Sequence, residues 1–590
     1  MPDNAERRRF LLFLIKPSHY DDDGYVIQWF KSALPSNSLA CLYGIAQDAA
    51  QSGALGPDVD VEIFPIDETN TRVRPDRIAR AIAEAGGHGL VGFVGVQSNQ
   101  YPRVMDVTRA LRAAGVAVCI GGFHVSGCLA MLPGTPASLQ EALDLGVSLF
   151  AGEAEGRFAD VLRDAAAGTL KPVYNVLDNL PGLDGAVVPS LPREKVGRSL
   201  GMISSFDAGR GCPFLCSFCT IINVQGRKSR YRTADDIERI VRSNHAGGVR
   251  YFFITDDNLA RNRNWEAIFD RLIALRQEGL NSRFVIQVDT MCHKIPRFVE
   301  KAAAAGVKRV FIGLENINPD SLTGAGKKQN HIADYRELLL AWRKARCITY
   351  CGYILGFPND TPESIARDIE IIKRELPLDI LQFSCLTPLP GSEDHAKMTA
   401  AGAAIDPDLN KFDLEHVVCD HPRMSRAEWQ DAYRCAWAAY YTDDHMKTVI
   451  RRAAAGGPRV DTVAFLMVAF WAASTLYDIY PLEAGLLRRK YRLDRRPGLP
   501  RENPLAFYPR EAVGFVVNHA KIVAKLAKIW WFMRGVVKDP AAKAYTDEAL
   551  RVANDYDGQE LYQQSESARA VGAKAKRIEE RKRATVGATE

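Results

Sequence analysis

Gly209-Arg210-Gly211-Cys212-Pro213-Phe214-Leu215-Cys216-Ser217-Phe218-Cys219 gathers three cysteines onto one short stretch. It follows an apolar run, residues 201–207, that reads as a strand. The cysteines therefore fall on a loop at a strand's carboxyl end, where α/β barrels and open sheets put their chemistry. Cysteine thiolates are the usual ligands of iron–sulfur clusters. Three on one loop can take three irons of a cubane, and no fourth cysteine stands nearby. One iron stays open, an arrangement that suits catalysis rather than structure. A structural zinc site would want paired CxxC units or added histidines, and neither follows. Buried thiols without metal are the remaining alternative.

Working outward, strand-like runs recur downstream at residues 251–255, 284–288, 310–314, 350–355 and 380–386. Their spacing of roughly 30–50 residues is that of βα units. With residues 201–207 they make six units, too few for a closed eight-stranded barrel, so a partial barrel is expected over 201–400. Upstream, strand-like runs at 10–15, 59–66, 90–96, 116–120 and 147–150 alternate with helical patterns near 38–52, 75–86, 101–114 and 156–167. That alternation predicts a doubly wound, Rossmann-like α/β domain over 1–170. Residues 171–200 read as a linker. After residue 400 helical patterns dominate, giving a helical region over 401–570 and a charged tail, 571–590, expected to be disordered.

Composition agrees with an ordinary soluble globular protein: 590 residues, 47% hydrophobic, 25% charged. A net charge of +5 is small for this length and points to no nucleic-acid partner. Of the twelve cysteines, those outside the trio stand at irregular spacing, which suits a reducing cytoplasm. The apolar run at 10–15 is too short for a secretion signal. The longest uncharged run, 462–477, falls short of the roughly 20 residues of a spanning helix and reads as a buried one. Over 511–537, Lys521, Lys525 and Lys528 share one helical face, while Ile522, Leu526, Ile529 and Trp530 share another. Such a helix either packs on the body with its lysines solvated or makes peripheral contact with a membrane.

The CxxxCxxC loop, with Phe218 just before its last cysteine, resembles the radical S-adenosylmethionine superfamily. The resemblance implies a [4Fe–4S] cluster on Cys212, Cys216 and Cys219 whose open iron takes the amino and carboxylate groups of S-adenosylmethionine. One electron, from a donor such as flavodoxin or ferredoxin, then cleaves the sulfonium to a 5′-deoxyadenosyl radical. By position, Phe218, Asp256, Asp257, Glu315 and Gly356 are implied S-adenosylmethionine contacts. Plainer roles exist: Asp256 and Asp257 could cap a helix, and Gly356 could only turn the chain.

Gly121-Gly122-Phe123-His124, then Gly152-Glu153-Ala154-Glu155-Gly156, then Leu386-Thr387-Pro388-Leu389-Pro390-Gly391-Ser392 resemble the cobalamin-binding branch of that superfamily. The branch includes an anaerobic magnesium-protoporphyrin ester cyclase and hopanoid methylases. This resemblance, over about residues 10–400, implies cobalamin at the carboxyl edge of the first sheet. Its implied contacts are Gln97, Ser98, Gly121, Gly122, His124, Gly152 and Glu153. The Asp-x-His-x-x-Gly loop is absent, so no lower cobalt ligand can be named from it. The implied activity is functionalisation of an unactivated carbon, by C-methylation of an apolar small molecule or lipid. Oxidative cyclisation or ring rearrangement is the enzyme alternative. A non-catalytic iron–sulfur carrier or sensor is the other class, but a carrier would want four protein ligands. No catalytic side chain is named.

Overall fold

The computed structural model describes residues 7–587. Six parallel strands build the first sheet, in the order Val59–Asp67, Arg8–Lys16, Gly89–Phe93, Ala117–Gly121, Ser148–Ala151, Val173–Asn175. The pleat of Arg8–Lys16 explains why it is apolar throughout. Leu11, Phe13 and Ile15 enter the core on one face, while Phe10, Leu12 and Leu14 enter the core on the other. Helices cover both faces, as doubly wound folds require. Strand order reverses between Arg8–Lys16 and Gly89–Phe93, which opens a crevice at their carboxyl ends.

The second sheet runs in chain order: Ile203–Phe206, Tyr251–Ile254, Arg283–Val288, Val307–Glu315, Ile348–Leu355, Ile380–Cys385, all parallel. Its first and last strands do not pair, so the six-unit partial barrel stands as expected. Helix starts are written locally. Thr361 caps Pro362–Glu375 in a capping box with Ser364, and Pro362 sits where a missing N–H costs nothing.

Three expectations change. The segment read as a linker holds Val173–Asn175, which extends the first sheet by one strand. Within the tail expected to be disordered, a helix spans Glu566–Gly587; residues 588–590 lie outside the described residues. The region after 400 is not a separate helical body. Met446, Val463, Met467, Ile529 and Tyr562 share one core with the barrel. It also contributes a strand, Gly485–Arg489, that pairs antiparallel with Gln28–Ser32 of the N-terminal half. Neither strand is alternating or long enough to be read from sequence. Among the described residues one helical stretch, Val460–Tyr477, is long and apolar enough to cross a membrane. Val463, Met467 and Phe470 are buried in the protein core while Phe465 is 56% exposed, so the run expected to be a buried helix is buried on one side.

Candidate active site

The cysteine loop leaves the barrel through Gly209 and Gly211. A Cβ on Gly211, whose φ is 89°, would stand 2.4 Å from the Lys228 carbonyl, so only glycine fits. Cys216 is buried and Cys212 and Cys219 are half-buried. The loop is pinned on three sides: Cys212 N–H to the Gly226 carbonyl (3.2 Å), Ser217 N–H to Ala325 (3.1 Å), and Asp394 N–H to the Ser217 carbonyl (3.1 Å). The Gln329 amide donates to Cys216 Sγ at 3.5 Å. Burial pushes the Cys219 thiol up to about 12, so a thiolate there needs a cation beside it. Among the described residues no three such side chains converge to hold a single metal ion. A cubane asks for something else, three thiolates on three separate irons, and three cysteines on one braced loop fit that.

The strand ends around the loop divide into two kinds. Asp256 faces away from the open space. Its carboxylate accepts from Ala208 N–H (2.6 Å), Gly209 N–H (2.8 Å) and Asn262 (2.9 Å). It fixes the backbone entering the cysteine loop. Asp257 is exposed close to Cys212 and Cys219, and the crowding of protein around it raises its carboxyl above the ordinary carboxylate range, to about 7. Glu315 stands at φ 64°, a left-handed conformation that costs about 1–3 kcal/mol for a non-glycine residue. Its carboxylate pairs with the Lys327 ammonium, which also lies 5.7 Å from the centre of the Phe218 ring. Sequence reading missed Lys327, because an Ala-Gly-Lys-Lys turn carries no signal for which lysine points inward. Gly356 has its own reason: a Cβ there would lie 1.8 Å from the Trp429 indole.

Facing the loop is the crevice of the first sheet. Gly92, Gly95, Gly121, Gly122 and Gly152 line it, with apolar walls from Phe93, Phe150 and Phe158. Its open space is about 1010 Å³, part of it continuous with solvent. Arg210, Val224 and Gln225 close it from the barrel side. Asn37 Oδ1 is buried at this crevice with no partner among the described residues. A large flat ligand with apolar body and polar substituents fits these walls.

The family "Radical SAM superfamily" matches residues 207–372. Residues 207–372 form a radical SAM domain. The chain is similar to bacteriochlorophyllide d C-8(2)-methyltransferase of Chlorobaculum tepidum, 24% identical over 375 residues, covering 60% of this chain and 78% of that protein. It is similar to hopanoid C-2 methylase of Rhodopseudomonas palustris, 24% identical over 390 residues, covering 65% and 70%. Its fold matches the cobalamin-dependent S-adenosylmethionine radical enzyme OxsB, solved with aqua-cobalamin and S-adenosylmethionine bound. The TM-score is 0.52 at 12% identity, over 95% of this chain and 84% of that one.

Against the radical SAM domain, the expected contacts of the first sheet separate. Gly121, Gly122, Gly152 and Glu153 line the crevice; Gln97, Ser98 and His124 do not. His124 is 1% exposed, lies against Tyr101 (4.3 Å between ring centres, the rings tilted by 40°) and meets Ser98 Oγ through Nδ1 at 3.1 Å. Burial lowers its pKa to about 3. It does not line the crevice, and its Nε2 has no partner among the described residues. Glu153 is at the rim but already engaged. Its carboxylate takes Arg210 at 2.6 Å and Arg230 at 2.8 Å, both from the barrel side. Sequence gave no sign of this because the arginines lie far along the chain. Asn37, Ser38 and Cys41, on the first helix, also line the crevice and were not expected.

Proposed function

We propose that this chain is a cobalamin-dependent radical S-adenosylmethionine methyltransferase acting on an apolar substrate. The observation that carries the reading is the pairing of a braced three-cysteine loop with a glycine-lined crevice across Arg210. When bound, the cluster, S-adenosylmethionine and cobalamin supply radical formation and a transferable methyl group.

Cys212, Cys216 and Cys219 would hold three irons of the cluster, with the Gln329 amide donating to one thiolate. Such N–H···S bonds tune iron–sulfur clusters. Asp257, Glu315 and Lys327 bring two carboxylates and one ammonium to the open side of the loop, suited to orient the amino-acid and ribose parts of S-adenosylmethionine. Phe218, held against Phe357 at 6.4 Å, keeps that side partly apolar and excludes water. Gly121, Gly122 and Gly152 let a corrin approach the backbone, and Asn37 Oδ1 could accept from one of its amides.

Methyl transfer is favoured over oxidative cyclisation because both relatives named above are methylases of large apolar molecules, a bacteriochlorophyllide and a hopanoid. The proposed substrate is therefore an apolar small molecule or lipid. The reading further proposes a flavodoxin or ferredoxin as electron donor, a cytoplasmic location and peripheral contact with a membrane. Anaerobic reconstitution with iron, sulfide, cobalamin and methyl-labelled S-adenosylmethionine tests it. Label should appear on carbon of an apolar product. Turnover that yields 5′-deoxyadenosine and a cyclised, unlabelled product would instead establish the cyclase alternative.

A further inference from the structure

The helix Pro504–Lys538 is 35 residues long, yet only Phe507 and Ile529 are buried. Among the described residues, 22 large hydrophobic side chains are exposed, and ten of them stand on this one helix. Singly exposed apolar residues need no explanation, but a contiguous set marks an interaction site. Leu505 is 84% exposed, Val516 65%, Val523 64% and Trp531 73%. At about 100° per residue these four fall within an arc of about 80°. Ala520 and Ala527 lie between them on the same arc, and no charged residue from 505 to 531 shares it. The ridge is about 40 Å long.

The opposite side holds the helix to the body. Lys525 and Lys528 both pair with Asp443, Lys525 also covers the Trp471 ring (4.4 Å), and Asn518 donates to the Leu476 carbonyl (3.3 Å). Two of the three lysines of the sequence pattern thus pair with the body, although Lys528 keeps most of its surface in water. Lys521, Arg534 and Lys538 remain exposed and form no ion pair among the described residues. Trp530 and Trp531 stand next to Arg534, whose guanidinium lies 4.6 Å from the Trp530 ring centre.

We propose that the exposed ridge of the helix Pro504–Lys538 docks on an anionic lipid bilayer, with its apolar side chains providing most of the binding. This deepens the membrane contact proposed above but rests on the helix alone, not on the chemistry of the site. An apolar ridge, uncharged from 505 to 531, that ends in a tryptophan and is continued by the exposed Arg534 and Lys538 is the pattern of a helix lying in a bilayer interface. Charge supports this occupant: Lys521, Arg534 and Lys538 are exposed and free of acidic partners among the described residues, and anionic headgroups match them.

The full-length protein should co-sediment with phosphatidylcholine vesicles containing phosphatidylglycerol, and less with phosphatidylcholine alone. Val516→Asp, Val523→Asp and Trp531→Asp together, all at exposed positions, should lower partitioning at least about tenfold with the melting temperature unchanged. Lys521→Glu with Lys538→Glu should reduce binding to the anionic vesicles only. Partitioning untouched by the triple substitution overturns the proposal. So does an absence of vesicle binding. A concentration-dependent dimer dissolved by that triple substitution would assign the ridge to a second copy. Vesicle binding is read without turnover, so its failure leaves the proposed chemistry untouched.

Discussion

The Arg210 guanidinium lies 2.6 Å from the Glu153 carboxylate, tying the residue two places before Cys212 to the loop at the edge of the first sheet. The same guanidinium reaches Glu155 (2.6 Å) and Asp207 (3.0 Å), so its donors are nearly all used between the two domains. Arg230 and Arg232 complete the set, three arginines against three carboxylates. A planar, always-charged fork suits this position better than a lysine. The network fixes how far the cysteine loop stands from the crevice. Arg210→Ala would leave Glu153, Glu155 and Asp207 under-compensated in a buried place. Removing one partner of such a pair costs about 3–5 kcal/mol. Denaturant unfolding should register that loss. Arg210→Lys should recover part of the stability.

Replacing Cys212, Cys216 or Cys219 by Ala should leave the chain folded and abolish iron and sulfide incorporation together with S-adenosylmethionine cleavage. Each thiolate would hold one iron, and the bonds that brace the loop at Cys212 N–H, Ser217 and Asp394 run between backbone groups that an alanine keeps. Retained 5′-deoxyadenosine production in any of the three would remove the cluster from this loop. Cys347 and Cys351 are fully buried, and Cys347 Sγ is spent on the Val307 carbonyl at 3.3 Å. Their replacement by Ser should leave iron content unchanged.

Blocking the crevice needs a site where a large side chain meets space rather than backbone. Gly122 is unsuitable: its φ is 144° and a Cβ would lie 2.1 Å from Val96 N, so any substitution there breaks the loop itself. Asn37 is only half-buried and opens on the crevice. Asn37→Trp should therefore abolish corrin absorbance after reconstitution while iron and sulfide stay at wild-type levels. Normal cobalamin loading in that variant would move the corrin elsewhere.

Gly356 separates a packing role from a ligand role. Gly356→Ala places a Cβ 1.8 Å from the Trp429 indole and forces alanine to φ 100°. Left-handed strain and overpacking together should cost about 2–5 kcal/mol. Adding Trp429→Leu should return much of that stability in a double-mutant cycle. If S-adenosylmethionine affinity recovers with it, the glycine serves packing alone.

Both sheets were legible because parallel strands covered on two faces become near-continuous apolar runs, as Arg8–Lys16 and Ile348–Leu355 do. The cysteine loop was legible because its spacing is local. What stayed hidden is what depends on distant partners. Lys327 is recognisable only once Glu315 is beside it, and Glu153 looks like a ligand-facing acid until Arg210 and Arg230 arrive from more than fifty residues away. The helix Pro504–Lys538 was legible in part: Ile529 is buried and Lys521 stays exposed, but Asp443 pairs with Lys525 and Lys528, and the outer ridge of valines belongs to neither face that the sequence pattern set out.

His416 sets a pH dependence away from the cysteine loop. It lines a small polar cavity with His19, Glu415 and Asp478, and its ring meets Asp413 at 2.8 Å and Asp22 at 3.2 Å. Burial opposes its charge, but the hydrogen bonds and charges of the two aspartates outweigh that and raise its pKa to about 10. The folded value lies above the ordinary 6.5. By linkage, the stability it contributes is therefore full below about pH 6.5 and is lost as pH rises through about 10. Other buried acids titrate too, so the contribution must be read as a difference. Wild type should lose stability relative to His416→Gln as pH rises from 6.5 to 10, and the two should run parallel below that window. Unfolding midpoints across the series measure it. A constant gap throughout would mean that folding leaves the His416 pKa at its ordinary value and that Asp22 and Asp413 hold the ring only by position.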